Sequence, residues 1–168
     1  MELILQSLDN ILDLNNSFKE VVLLSLYVSV LATIISSIIS IYLSSYMAIE
    51  NFSGKNTITL IFNSLMSLPP VVVGLILYII FSSSGVLGFT DLLYSPQIMI
   101  IAQFIIITPI IISLSLKSLN DRYNLLDDYL FSLNASKNKI RRTIIYESRY
   151  DLLIIVITGL SRALSEVG

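Results

Sequence analysis

Three long stretches without a single charged residue, 21–49, 56–90 and 92–116, constrain this chain of 168 residues more than any other feature. Each stretch is longer than the roughly 20 residues that an α-helix needs to cross the hydrocarbon core of a bilayer. Charged residues make up 13% of the chain, whereas soluble domains contain about 25%. The sequence therefore predicts an integral membrane protein.

The apolar stretches predict an all-α, polytopic membrane helical bundle with about four spans, at 21–46, 57–81, 96–116 and from 151 to the last residue. Ser95 is suited to cap the third span, with Pro96 in its first turn. Apolar residues at helical spacing in 1–16 predict a surface helix, with a disordered terminus as the alternative. Because no polar segment follows the last span, we expect the transmembrane domain 1–168 to be C-terminally truncated, with five spans in the complete chain.

Basic residues fix the predicted orientation of these spans. Seven of the ten lie in or beside the polar loop 117–150, namely Lys117, Arg122, Lys137, Lys139, Arg141, Arg142 and Arg149. The loop 82–97 has none. Because loops rich in Lys and Arg stay in the cytoplasm, we expect 117–150 inside, 82–97 outside and the N-terminus outside, in a multi-pass protein of the plasma membrane.

The cytoplasmic loop has the pattern of two short amphipathic helices. Asn124 can cap the first, Asp127 and Asp128 suit its positive end, Asn134 can end it, and Ser136 can cap the second. The apolar face is expected to pack either under the protein's own spans or in a cleft of a partner protein, as a helix in a groove. The predicted docking residues are Asp127, Asp128, Tyr129, Leu130, Leu133, Asn134, Ala135, Ser136 and Ile144.

Polar and helix-breaking residues inside the spans are candidates for a translocation path. Pro69 and Pro70, next to Ser67, predict a bend in the second span. Such bends near mid-membrane often mark a substrate path, and the alternative is a passive kink. In the third span Gln103 and Thr108 are expected to face other helices, either as interhelical hydrogen-bonding groups or as pore-lining groups.

Arg162 is the strongest single candidate for a functional residue within the membrane. It lies about 16 Å from the predicted start of its span, near mid-membrane. A charge at that depth is costly and indicates a functional site. Glu166 follows one turn later and can pair with it. The pair is expected to be either structural or a gate that releases Arg162 to a passing anion.

Missing residue types exclude several functions. The chain has no Cys and no His, which removes disulfides, thiolate chemistry and imidazole bases or metal ligands, and we expect no metal site. It has no Gly-rich phosphate loop followed by Lys and Ser or Thr. An intramembrane enzyme is therefore disfavoured, and any nucleotide must act through another subunit.

The loop resembles the EAA loop of ABC importer permeases, whose pattern is Glu-Ala-Ala, three residues, Gly, nine residues, Ile, one residue, Leu-Pro. Here the pattern falls on Asp128-Tyr129-Leu130, Asn134, Ile144 and Tyr146-Glu147, with Asp for Glu, Asn for Gly, and neither alanine retained. Other segments are similar to the tungstate-type permeases of the molybdate/tungstate subgroup, which have the methionine-permease-like fold. These segments are 20–33, 67–75, 84–88, 102–103, 109–110 and 161–168.

This resemblance implies a homodimeric permease that translocates tungstate by alternating access. It also implies two cytoplasmic ATP-binding subunits and an extracytoplasmic oxyanion-binding protein. ATP would be bound by the partner, so the chain itself would carry no cofactor, bind no nucleic acid and catalyse no reaction. Molybdate or another oxyanion is the alternative cargo, since selection is expected in the binding protein. An ATP-independent secondary transporter or channel is the alternative class.

Overall fold

The computed structural model describes residues 2–132 and 135–167, with side chains given outside 2–17, Asp128, Phe131 and Val167. Over these ranges all regular secondary structure is helical, and the predicted all-α fold is confirmed. A short 3-10 helix, Gly88–Thr90, lies in the loop before α4. The α-helices are α1 (Glu2–Ile49), α2 (Lys55–Leu65), α3 (Pro70–Phe81), α4 (Pro96–Ser132), α5 (Lys137–Glu147) and α6 (Arg149–Val167).

Two helical segments in the described part of the chain, Phe18–Ile49 and Pro96–Asp127, are long and apolar enough to cross a membrane. The bent pair α2–α3 makes a third span if both helices belong to one crossing. The predicted fourth span folds as α6, which carries Arg149, Asp151, Arg162 and Glu166 and is too charged to join this set. A crossing by α6 stays a prediction.

A ladder of small residues on α1 lets this helix pack closely along α4. Ala32, Ser36, Ser40, Ser44 and Ala48 recur at every fourth position, and none is more than 3% exposed. Residues four apart lie on one helix face, and small side chains there let two helix backbones approach each other. The α1–α4 pair is thus the centre of the bundle.

Hydroxyl groups of the ladder reach across to α4. Ser36 Oγ lies 2.9 Å from Thr108 Oγ1, and Ser44 Oγ donates to the Ile112 carbonyl at 3.1 Å. Ser40 Oγ makes a longer bond of 3.4 Å to the Thr108 carbonyl. Because the contacts advance along both helices in the same direction, α1 and α4 run parallel, as two spans separated by one returning span must.

Helix α6 returns along this pair through its own small residues. Ala163 packs with Ala32 and Ile107 near the middle of the bundle. A Cβ at Gly159 would lie 2.8 Å from the end of the Ile111 side chain, so a larger residue here would require the buried Ile111 side chain to move. Leu152, at the start of α6, joins the apolar cluster around Met47, at the bundle end that carries the α4–α5 turn. We call this the hairpin end; α6 starts there and runs antiparallel to α1 and α4.

Two predicted helix boundaries are wrong. The N-terminal segment is not a separate helix, because α1 runs without a break from Glu2 to Ile49. Likewise α4 continues to Ser132, so Asn124 caps nothing, and Asp127 lies near the end of this helix instead of the start of a new one. Neither 2–49 nor 110–132 contains Gly or Pro, so nothing in these segments interrupts helical hydrogen bonding.

Other predicted boundaries hold. Helix α4 begins at Pro96 as expected, although Ser95 Oγ donates to the Leu92 carbonyl at 2.6 Å. Helix α5 begins after Ser136, whose side chain makes no capping hydrogen bond. The surface position expected for the N-terminal segment stays a prediction.

The predicted bend in the second span is confirmed, and it is a break between two helices. Helices α2 and α3 meet at 97° across residues 66–69. Pro69 has extended backbone angles and Pro70 occupies the first position of α3. A residue before proline avoids the helical region, so two consecutive prolines force Leu68 and Pro69 out of the helix.

The close approach at Gly159 gives a stability prediction. Gly159→Leu should destabilise the protein by about 1–3 kcal/mol, because the larger side chain overpacks against Ile111. Gly74→Leu is the matched control, since a Cβ at Gly74 has open space around it. Thermal unfolding of the purified permease in detergent measures both. Equal melting temperatures for the two variants would contradict the packing described for α6.

Candidate functional site

The hairpin end exposes part of the predicted docking surface and buries the rest. Tyr129 is 67% exposed and Asp127 is also exposed, near the end of α4. Leu130 and Ile144 are buried, and Ile144 packs in the cluster around Met47. The apolar face of the loop therefore packs partly under the protein's own helices, which is one of the two arrangements expected from the sequence.

The turn between α4 and α5 is described only in part. Leu133 and Asn134 lie outside the described residues, as does the side chain of Asp128. Ala135 N–H donates to the Leu130 carbonyl at 3.2 Å, which closes the end of α4. In the second half of the turn, Ala135 is half-buried and Ser136 is exposed.

An ion pair that the sequence analysis missed attaches α5 to the end of α1. Lys137 Nζ donates to both carboxylate oxygens of Glu50, at 2.9 and 2.6 Å. One turn further along α5, the Arg141 guanidinium lies 5.5 Å from the centre of the Tyr46 ring. These contacts form a clamp, defined as Glu50, Tyr46, Lys137 and Arg141, that fixes the loop helix to the α1–α4 pair.

A second set of contacts attaches α4 to the start of α6. Arg122 lies 3.5 Å from Asp151, and Ser118 Oγ donates to the same carboxylate at 3.4 Å. Arg149 lies between the rings of Tyr146 and Tyr150, 4.3 and 4.6 Å from their centres. Much of the positive charge that orients the chain is therefore already engaged in contacts at the hairpin end.

Serine hydroxyl groups at the α2–α3 break donate hydrogen bonds to backbone carbonyls near the prolines. Ser67 Oγ donates to the Ser64 carbonyl at 2.8 Å, and Ser64 Oγ donates to the Leu60 carbonyl at 2.9 Å. The Leu65 carbonyl accepts the N–H of Leu68 at 3.1 Å. Backbone groups freed at membrane depth need such partners, so this break is compatible with burial in a membrane.

Gln103 and Thr108 occupy different environments on α4. Thr108 Oγ1 donates to the Phe104 carbonyl, so its single proton is used and Ser36 donates to it. Thr108 thus serves as an interhelical hydrogen-bonding group. Gln103 is only 5% exposed, and its Oε1 has no hydrogen-bond partner within the described chain. A buried amide oxygen without a partner is costly, which distinguishes Gln103 from the ordinary packing around it.

Arg162 and Glu166 form the ion pair expected from their spacing, 3.1 Å apart. Ala163, which packs against Ala32 and Ile107, sets the depth of this pair near mid-bundle. The side chains are 42% and 24% exposed. A partly exposed ion pair at this depth is unfavourable against lipid, so the surface that carries it is suited to face protein or water.

The small-residue ladder was also missed, although the sequence carries its signal. Small residues at every fourth position in an apolar span are a known mark of close helix packing. The clamp had no comparable signal, because Glu50 and Lys137 are far apart in the chain and only the folded structure brings them together.

Helices long enough to cross a membrane, a bent helix pair and a helical hairpin at one end of the bundle define the class of the chain as a polytopic membrane protein. No model of a known protein family matches the chain. A probable anion ABC transporter permease protein of Haloferax volcanii is 32% identical over 157 residues, which are 93% of this chain and 68% of the relative. The chain belongs to this family of ABC transporter permeases.

Two further relatives are named as tungstate uptake system permease proteins TupB. That of Peptoclostridium acidaminophilum is 37% identical, over 88% of this chain and 65% of the relative. That of Campylobacter jejuni is 38% identical, over 70% of this chain and 49% of the relative. This chain therefore spans about half to two thirds of the length of these two proteins.

The clamp predicts a measurable coupling between Glu50 and Lys137. Glu50→Lys or Lys137→Glu alone should lower the melting temperature, and the double reversal should restore most of the loss, with a coupling of about 0.5–1 kcal/mol. Thermal unfolding of the three variants measures this coupling. Lys139→Glu, an exposed change on the same helix, is the control. Strictly additive losses in the double variant would show that the two groups do not interact.

Proposed function

We propose that this chain is the membrane subunit of an ATP-driven importer that carries tungstate across the plasma membrane by alternating access. The observation that carries the proposal is the similarity to two tungstate uptake permeases, at 37% and 38% identity. Molybdate, with the same charge and tetrahedral shape, is the second candidate cargo. The anion permease of Haloferax volcanii is compatible with either ion.

The proposed partners follow from what this chain lacks. Its sequence has no phosphate-binding loop, so ATP is bound and hydrolysed by separate cytoplasmic subunits that dock on the hairpin end. Two copies of the permease enclose the path, and an extracytoplasmic protein delivers the oxyanion. The N-terminus is outside and the loop 117–150 inside, because basic loops stay in the cytoplasm.

The clamp supports this assignment of the hairpin end. A partner that displaces α5 also displaces the end of α1, since Lys137 and Arg141 hold the two helices together. Helix α1 in turn is bonded to α4 through Ser36 and Ser44. A contiguous set of contacts therefore runs from the proposed ATPase surface to mid-bundle, as a two-state transport mechanism requires.

The proposed path runs past the helix break and the charged pair. It comprises Ser67, Pro69, Pro70, Gln103, Thr108, Arg162 and Glu166, with Thr108 helping to hold the α1–α4 contact beside it. Arg162 supplies the charge that a dianion needs at a depth where water is scarce. In the closed state Glu166 holds this guanidinium, and opening releases it to the ion.

Uptake of labelled tungstate tests the cargo and the class together. In a host without its own oxyanion uptake systems, the full transporter should accumulate tungstate, and excess sulfate should not compete. Replacing the nucleotide-binding lysine of the ATPase subunit should abolish uptake, because the permease alone has no energy source. Uptake that survives this change would favour a secondary transporter or channel. Complete competition by molybdate would widen the cargo to both ions.

Arg162→Gln should reduce tungstate uptake about tenfold or more at equal membrane abundance, since it removes the charge that receives the ion. Thr158→Val is the matched control, one turn away on the same face of α6. Among the described residues, the Thr158 hydroxyl bonds only to its own helix, at the Ile154 carbonyl, so this change should leave uptake unaltered. Normal uptake by Arg162→Gln would reduce the ion pair to a structural role.

A further inference from the structure

A cavity with both polar and apolar lining lies between α2 and α4, close to the hairpin end. Its volume is about 340 Å³. The polar residues that line it are Thr59, Asn63, Ser113, Lys117, Asn120 and Asp121. Lys55, at the start of α2, donates to the Ala48 carbonyl at 3.4 Å, which fixes this side of the cavity beside the end of α1.

The hydrogen-bonding groups of this cavity are largely unused. Ser113 is only 8% exposed, and its Oγ has no partner among the described residues. Within the same residues, the ion pairs do not include the exposed Lys117, and no hydrogen bond engages the side chain of the half-buried Asn120 or of the exposed Asn63. An unpartnered buried hydroxyl costs free energy, and Ser113, unlike the other unpartnered serines of the described chain, lies in the wall of this cavity, where a ligand can reach it.

The lining selects for an anion with several acceptor oxygens. An ammonium, two carboxamides and a hydroxyl present N–H and O–H donors, whereas a metal cation needs oxygen ligands and no neighbouring ammonium. The one carboxylate of the lining, on Asp121, is eight residues along α4 from Ser113, about 12 Å at 1.5 Å per residue. Asp121 is only one turn beyond Lys117 and is adjacent to Asn120, so the ion is placed on the Ser113 side of Lys117, away from this carboxylate.

We propose that this cavity binds a tetrahedral oxyanion at the hairpin end, held by Asn63, Ser113 and Lys117. The inference rests on the proposed function, because it takes the bound ion to be the transported tungstate at its last station before release. Lys117 supplies a charge-assisted hydrogen bond, and the Asn63 amide and the Ser113 hydroxyl supply neutral ones. The phosphate of an anionic lipid headgroup has similar chemistry, and the experiment separates these two sources.

Protection of an introduced thiol tests the site directly. Because residues 1–168 contain no Cys, Thr59→Cys places in the cavity wall the only thiol of these residues. The full transporter is placed in nanodiscs of phosphatidylcholine alone, and modification of the permease subunit by a small thiosulfonate is followed by mass spectrometry. Tungstate should slow this modification about tenfold.

Variants at the proposed ligands should remove the protection. Lys117→Gln and Asn63→Ala, each combined with Thr59→Cys, are expected to react equally fast with and without tungstate. Lys19→Gln is the control for the loss of one positive charge, and Asn56→Ala is the control for the loss of one amide on α2. Both controls should keep the protection.

The other outcomes overturn the inference without touching the proposed function. Protection that requires phosphatidylglycerol and does not respond to tungstate would assign the cavity to a lipid headgroup. Wild-type tungstate uptake, with unchanged uptake and protection in Lys117→Gln and Asn63→Ala, would leave the importer intact and exclude this site. Failure of wild-type uptake, in contrast, would refute the proposed function itself.

Discussion

The close contact between α1 and α4 is the interaction on which the other elements depend. Lipid is as apolar as a leucine side chain, so helices inside a membrane associate through close packing and interhelical hydrogen bonds. The ladder from Ala32 to Ala48 provides the first, and the hydroxyls of Ser36 and Ser44 provide the second. Helix α6 and the hairpin then pack on a surface that only this pair creates, as Ala163 and Ile144 do.

The polar groups of the bundle fall into two kinds. Some are satisfied inside the protein: Ser67 bonds to a carbonyl beside the α2–α3 break, and Thr108 bonds to α1 and to its own helix. Gln103 and Ser113 keep a buried polar atom without a partner in the described chain. An unpaired buried group costs free energy. A passing ion that bonds to a group of the second kind would therefore remove this cost.

The fold could be predicted wherever local chemistry decides it. The absence of charge over 21–49 and 92–116 was enough to predict two crossings, Pro96 to predict the start of α4, and Pro69 with Pro70 to predict a bend. The angle of that bend could not be predicted from the sequence. Proline shows where a helix breaks, whereas tertiary packing determines the direction of the helix that follows. Asn124 and Asp127 gave a wrong prediction of a helix start. Capping residues do not end a helix when no Gly or Pro interrupts it.

The candidate site was less accessible from the sequence. Spacing alone identified the Arg162–Glu166 pair, since residues four apart share a helix face. The Glu50–Lys137 contact and the cavity between Asn63 and Lys117 join residues that are distant in the chain. Neither follows from a local pattern, because each depends on how the returning helices settle against α1 and α4.

Thr108 divides α4 into two parts of unequal length. From its contact with Ser36, the helix extends about 18 Å to Pro96 in one direction and about 36 Å to Ser132 in the other, at 1.5 Å per residue. If α4 tilted as a rigid body about the Thr108–Ser36 contact, its Pro96 end would move half as far as its hairpin end, and in the opposite direction. Pro109, the residue after Thr108, has no N–H to donate, so the helix lacks one backbone hydrogen bond directly beside this contact.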